Sequence, residues 1–160
     1  MTLNLYLFDK ILFNINKEGK RMNIGYERIK EHFTFNSLTL TKNDNITEIL
    51  IKNKVPNTFG IYIIYKNEKI YENIIYIGKA GEIDTEGIEK KQGLFKRLSN
   101  TRDNKTANEY FKNLFDENIK ELVIEYYETP ISLIPSFVEA TLIQEYFQIF
   151  KKLPLLNKAY

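Results

Sequence analysis

The chain changes pattern at Val55-Pro56-Asn57, where mixed polar segments give way to strong hydrophobic alternation. Behind this point Phe59-Gly60-Ile61-Tyr62-Ile63-Ile64-Tyr65 and Asn73-Ile74-Ile75-Tyr76-Ile77-Gly78 have the β-branched and aromatic composition of strands. Polar Lys66-Asn67-Glu68-Lys69 between them suits a hairpin turn, so two antiparallel strands are predicted. Helices are predicted over 93–99 and 106–114, a third strand over 122–127, and a last helix from 136 to about 152. In that helix Val138, Leu142, Tyr146, Ile149, Phe150 and Leu153 recur at helical spacing and make one apolar face. Ahead of Pro56, residues 45–54 read as a short helix capped by Asn45, with Glu48 three residues later. The rest of the first 44 residues has no period that selects helix or strand. The order β-β-α-α-β-α predicts an α+β fold, a small antiparallel sheet with a three-stranded core flanked by helices. Residues 1–55 then form an N-terminal extension to a domain spanning 56–160.

Side chains alternate along a strand, so Phe59, Ile61, Ile63 and Tyr65 share one face and Gly60, Tyr62 and Ile64 the other. The all-apolar face is expected to be the core, leaving Tyr62 beneath a helix or a ligand.

At 160 residues the chain suits one domain. The apolar stretch 3–15 is broken by Asp9 and Lys10 and lacks a basic start and a cleavage site, so neither a signal peptide nor a membrane span is predicted, and a cytoplasmic address is expected. The absence of cysteine excludes disulfides, zinc-thiolate sites and thiol nucleophiles, and His32 alone cannot build a histidine-rich centre. Any metal is therefore expected to be hard and oxygen-ligated, which means Mg2+ or Mn2+. Net charge is only +2, but Lys90, Lys91, Lys96, Arg97, Arg102, Lys105 and Lys112 crowd one window opposed by Glu89, Asp103 and Glu109. That window is either a solvated face or a phosphate-facing surface.

Gly60-Ile61-Tyr62 followed by Tyr76-Ile77-Gly78 on successive strands resembles the signature of the GIY-YIG nuclease superfamily. Lys79-Ala80, Leu94-Phe95-Lys96-Arg97-Leu98, Val138-Glu139-Ala140-Thr141-Leu142-Ile143 and Pro154-Leu155-Leu156-Asn157 follow in the family's order. The resemblance implies a metal-dependent endonuclease that hydrolyses DNA phosphodiesters. It implies Glu139 as metal ligand, Arg97 as phosphate clamp and Tyr62 as proton acceptor. Lys79 and the metal would supply positive charge to Tyr62, Tyr76 would orient water or phosphate, and Asn157 would fix the site from the closing segment. Lys79, Lys96, Arg97, Arg102 and Lys105 are the candidate DNA contacts. Many family members carry tyrosine or histidine one turn after the arginine, whereas this chain has Thr101. Tyr62 then acts alone, or Ser99, Arg102 or the metal compensates.

Duller alternatives exist for each residue. Tyr62 and Tyr76 can be ordinary sheet packing, and Arg97 a solvated basic residue. Ser136-Phe137-Val138-Glu139 fits a capping box, in which Glu139 would bond back to the helix start. A restriction or defence enzyme is expected because the motif runs to the chain's last residues; a nicking or structure-selective repair nuclease and a weakened nucleic-acid binder are the alternatives. Specificity would come from residues 1–58, where Lys17, Lys20, Arg21, Arg28 and Lys30 make a candidate arm, from the acidic insertion 81–92, or from a second copy in a homodimer. No nucleotide cofactor is expected.

Overall fold

The structure is a computed structural model that describes residues 24–90, 92–130 and 132–158. The stretch 3–15, Lys17, Lys20, Arg21 and Lys91 lie outside the described residues. In chain order the elements are α1 (Ile24–His32), β1 (Thr34–Thr41), α2 (Ile46–Lys52), β2 (Gly60–Lys66), β3 (Ile74–Ala80), β4 (Glu82–Ile83), β5 (Glu89–Lys90), α3 (Leu94–Ser99), α4 (Ala107–Lys112), β6 (Glu121–Glu128) and α5 (Pro135–Phe150). The fold is α+β. Among the described residues no helix is long and apolar enough to cross a membrane.

The main sheet is antiparallel in the order β1-β6-β2-β3. The three predicted strands are its adjacent members, and β1 adds a fourth that pairs with β6 along its whole length. Of the eight residues of β1 only Leu38 and Leu40 are buried, so its alternation is too short to stand out in the sequence. Between β2 and β3 the chain makes a longer connection than a tight hairpin, with a single 3-10 turn at Tyr71–Asn73. Asn67 enters it in the left-handed region at φ 58°, which asparagine tolerates better than most residues. Its side chain donates to the Asn118 carbonyl and accepts from the Lys120 N–H, both at 2.8 Å, tying the turn to the start of β6.

Strand β2 is buried on both faces, where a single core face was expected. On one side Tyr62 and Ile64 pack with Leu122, Ile124 and Tyr126 of β6 beneath Leu50, Leu94, Leu98, Ala107 and Phe111 of α2, α3 and α4. On the other, Ile61, Ile63 and Tyr65 pack with Ile77 and Tyr127 beneath α1 and α5, where Val138, Leu142 and Tyr146 of the predicted apolar face are buried together with Ile143, and Phe150 and Leu153 are partly buried. Each such aliphatic side chain removed from water contributes about 1.5–3 kcal/mol. The helices on the Tyr62 side are short and cover it only because three of them gather there.

Local capping fixes these helices. The Asn45 side chain accepts from the N–H groups of Thr47 and Glu48 at 3.0 and 3.3 Å, as predicted for its cap. For α3, the preceding segment serves: Leu94 N–H donates to the Thr58 carbonyl at 2.9 Å, Phe95 N–H to Pro56 at 3.0 Å and Lys96 N–H to the Asn57 side chain at 3.2 Å. Three donors that a helix start leaves open are thereby satisfied, and α3 is pinned to the entry of β2.

Candidate active site

Tyr62 and Tyr76 lie on neighbouring strands and on the same face of the sheet. Tyr62 pairs with Gly78, two residues after Tyr76, and the rings lie 5.8 Å apart at 35°. A Cβ on Gly78 would fall 2.7 Å from the Tyr62 hydroxyl and closer still to the Tyr76 ring. The glycine of the second tripeptide is thus needed so that both rings can lie over the strand. Gly60 answers to a different demand, since a Cβ there would strike the Tyr127 carbonyl oxygen of β6.

Arg97 and Arg102 approach this pair from above. Arg102 donates through Nη2 to the Tyr62 hydroxyl at 2.7 Å and to the Arg97 carbonyl at 3.1 Å. Its guanidinium carbon lies 5.3 Å from the Tyr62 ring, 5.7 Å from Tyr76 and 5.3 Å from Tyr110, within cation–π range of all three. Burial pulls its ionisation down, but Tyr62, Tyr76 and Tyr110 outweigh that and the net direction is up. For Tyr76 burial comes first and Tyr62 second in pushing its hydroxyl above the usual tyrosine range, against the opposing pull of Arg102 and Arg97. Tyr76 is therefore in its protonated form near neutrality, in which its hydroxyl is able to donate. The Nε atoms of Arg97 and Arg102 are both buried without a hydrogen-bond partner. An unsatisfied buried donor costs about 1–3 kcal/mol, a cost that an incoming anion would relieve at Arg97.

Arg102, a candidate both for DNA contact and for compensating Thr101, turns its side chain inward onto Tyr62. The reason is the turn that follows it: Asp103 and Asn104 both have left-handed backbones, φ 49° and 60°. Arg102 and Lys105 then exchange backbone hydrogen bonds at 2.9 and 2.8 Å. Two consecutive residues that tolerate this region are a legible turn signal. Tyr110, which the sequence did not single out, is set by α4, whose start has a full capping box between Thr106 and Glu109. Lys96 and Lys105 are exposed, as is Thr101.

Lys79 is placed differently from its expected role. It pairs with Ile61, so it projects to the sheet face opposite Tyr62, and its Nζ lies 3.6 Å from the Glu82 carboxylate. The cation beside Tyr62 is Arg102, not Lys79. His32 is exposed at the end of α1.

Glu139 is buried at 8% exposure. Helix α5 begins at Pro135 with Ile134 as its cap residue and no side-chain cap, so Glu139 is its fifth residue and the capping box does not form. The proline, which suits a first helical position, moves the start one residue ahead of the predicted one. Helix α5 belongs to the layer across the sheet from α3, so Glu139 and Arg97 come from opposite layers. Asn157 bridges toward the sheet edge: its Oδ1 accepts from the Ile77 N–H at 3.1 Å and its Nδ2 donates to the Ile77 carbonyl at 2.9 Å. With Leu156 N–H on the Ile75 carbonyl at 2.9 Å, the closing segment is stapled along β3 beside Tyr76.

Among the described residues no three or more His, Asp or Glu side chains are grouped to hold a metal. Magnesium does not require such a cage, since it binds through one or two carboxylates and completes its shell with water and phosphate oxygens. Glu139 is a buried carboxylate in the layer opposite Arg97.

Compared with known proteins, the chain matches no family model, no curated protein and no solved structure. What the site can do is set by the side chains that meet there: two tyrosine hydroxyls and the guanidiniums of Arg97 and Arg102 are chemistry for an anionic, oxygen-rich partner.

Proposed function

We propose that this chain is a GIY-YIG nuclease that hydrolyses DNA phosphodiester bonds with Mg2+ or Mn2+, of restriction or defence type. The observation that carries the proposal is the contact of the Arg102 guanidinium with the paired tyrosines of the two tripeptides, with Arg97 close enough to act on Tyr76 electrostatically. Arg97 grips the phosphate through its planar fork. Tyr76, held protonated by burial, orients phosphate or water by donation. Tyr62 takes a proton from the attacking water, and Asn157 holds the closing segment against β3. Glu139 would hold the divalent ion, which would supply Lewis-acid charge for phosphodiester cleavage. Exposed Lys96 and Lys105 contact the DNA backbone, and a homodimer would cut both strands.

One observation favours a second proposal, a domain that binds nucleic acid without cutting it. Tyr62 is 0% exposed and its hydroxyl is already engaged by Arg102, whereas a proton acceptor must meet water. Incubation with supercoiled plasmid and magnesium, beside Glu139→Ala, separates the two. Linear products at fixed positions support restriction and relaxed circles support a nickase. Retardation of the plasmid without cleavage supports the binder and removes the nuclease proposal.

A further inference from the structure

We infer that Arg102 is a positioning residue for Tyr62, fixing the tyrosine oxygen as the acceptor that receives the proton of the attacking water. This rests on the nuclease assignment above and adds a residue to it. A guanidinium has donors only, so in the 2.7 Å contact the Tyr62 oxygen must accept and Arg102 must donate. The direction of that bond is therefore fixed, whichever protonation state the phenol adopts. Tyr62 is 0% exposed, so the step requires DNA binding to bring the attacking water to its oxygen.

The placement of Arg102 is over-determined. Its Nη2 also holds the Arg97 carbonyl at 3.1 Å, so the helix that carries Arg97 and the ring of Tyr62 share one donor atom. Tyr76, Tyr110 and Phe111 surround the guanidinium at 5.7, 5.3 and 5.9 Å. The Asp103-Asn104 turn and the Arg102–Lys105 backbone pair fix the chain from which it projects. Its Nε has no partner, so the group is held for its contact with Tyr62 at the expense of its own full satisfaction. Thr101, its neighbour, is exposed.

In the step itself the water oxygen forms a bond to phosphorus and the bond to the 3′ oxygen breaks, the electron pair leaving with that oxygen, which then takes a proton from solvent. The proton lost by water passes to Tyr62 in its phenolate form. Arg102 neither gives nor takes a proton, since arginine stays charged throughout; it balances the phenolate charge and holds the oxygen in place.

The test is steady-state cleavage of a labelled duplex by the full chain, comparing wild type, Arg102→Gln, Arg102→Lys, Tyr62→Phe and the Tyr62→Phe/Arg102→Gln double variant. Loss of one positioned donor predicts a fall in kcat of about 100-fold for Arg102→Gln, with KM within about threefold. Arg102→Lys, which keeps the charge and loses the fork, recovers about tenfold of that loss. In the Tyr62→Phe background Arg102→Gln changes kcat by less than about threefold, because both act through one oxygen. Circular dichroism and melting confirm each fold, and if Arg102→Gln does not fold, Arg102→Lys carries the comparison by losing kcat at constant KM. A kcat close to wild type, multiplicative losses in the double variant, or a rise in KM at constant kcat would each overturn the inference. Inactive wild type would remove the nuclease assignment and this role with it, which is distinct from active wild type indifferent to Arg102.

Discussion

The two motif glycines should fail in different ways when a methyl group is added. In Gly78→Ala the new carbon would lie 2.7 Å from Cζ and the hydroxyl of Tyr62 and nearer still to Tyr76, whereas carbon contacts settle at about 3.5–4.0 Å. Roughly 1 Å of movement is therefore required. Tyr62 is enclosed on every side, while Tyr76 is only partly buried, so Tyr76 moves. Overpacking of this kind costs about 1–3 kcal/mol. In Gly60→Ala the obstacle is the Tyr127 carbonyl oxygen, with Leu94 Cδ1 at 2.8 Å. That oxygen belongs to the backbone of β6, which pairs with β2, so relief means parting the two inner strands where Gly60 faces Glu128, and the cost should exceed about 3 kcal/mol. Urea unfolding followed by far-UV circular dichroism measures both, and plasmid cleavage measures the site. Gly78→Ala is expected to stay folded and lose cleavage; Gly60→Ala is expected to lose the fold. A Gly78→Ala protein as stable and active as wild type, or a Gly60→Ala protein more stable than Gly78→Ala, would refute the reasoning.

Asn157→Ala removes two bonds to Ile77, at 3.1 and 2.9 Å, and should cost about 1–2 kcal/mol; faster hydrogen exchange at the Ile77 amide would locate the loss. Lys69→Met strips the 2.9 Å partner from Glu125, which is 0% exposed and keeps the Tyr65 hydroxyl at 3.0 Å. Because the lysine end is open to solvent, the destabilisation should be about 2–3 kcal/mol, below the range for a fully buried pair, and unchanged urea midpoints would contradict it. Burial, first among the causes, pushes Tyr26, Tyr65, Tyr76 and Tyr127 above the usual tyrosine range. A raised folded-state value contributes stability that is present below the unfolded value, about 10, and is lost as pH rises beyond it. Unfolding midpoints should therefore be flat near neutrality and fall steeply above about pH 10; a flat profile to higher pH would contradict the assignment.

The strands that carry the tyrosines were legible because Ile61 to Tyr65 and Ile74 to Ile77 are uninterrupted β-formers. Burial of both faces of β2 was not, because a run such as Ile63-Ile64 satisfies alternation and full burial equally. Strand β1 escaped notice for the opposite reason: Thr34 to Ser37 and the outward threonines are exposed, and two leucines give too short a period. The cap of Asn45 was local and visible. The start of α5 was misplaced by one residue because a serine followed by glutamate outweighed the preference of Pro135 for a first turn, and that single step decides whether Glu139 is a cap. At the site, the resemblance to the GIY-YIG signature, and not periodicity, brought Tyr62, Tyr76 and Arg97 into consideration. The Asp103-Asn104 turn is signalled by residue type, but the inward aim of the Arg102 side chain beside it is not, and the face of Lys79 is set by strand register.

The most direct test of the central proposal is end-group analysis of a labelled DNA duplex incubated with the full chain and magnesium. The proposal predicts cleavage to 3′-hydroxyl and 5′-phosphate ends, dependent on the divalent ion and abolished in Glu139→Ala and Arg97→Ala proteins that melt as wild type does. An intact duplex, or a folded Glu139→Ala protein that cuts as well as wild type, would contradict it.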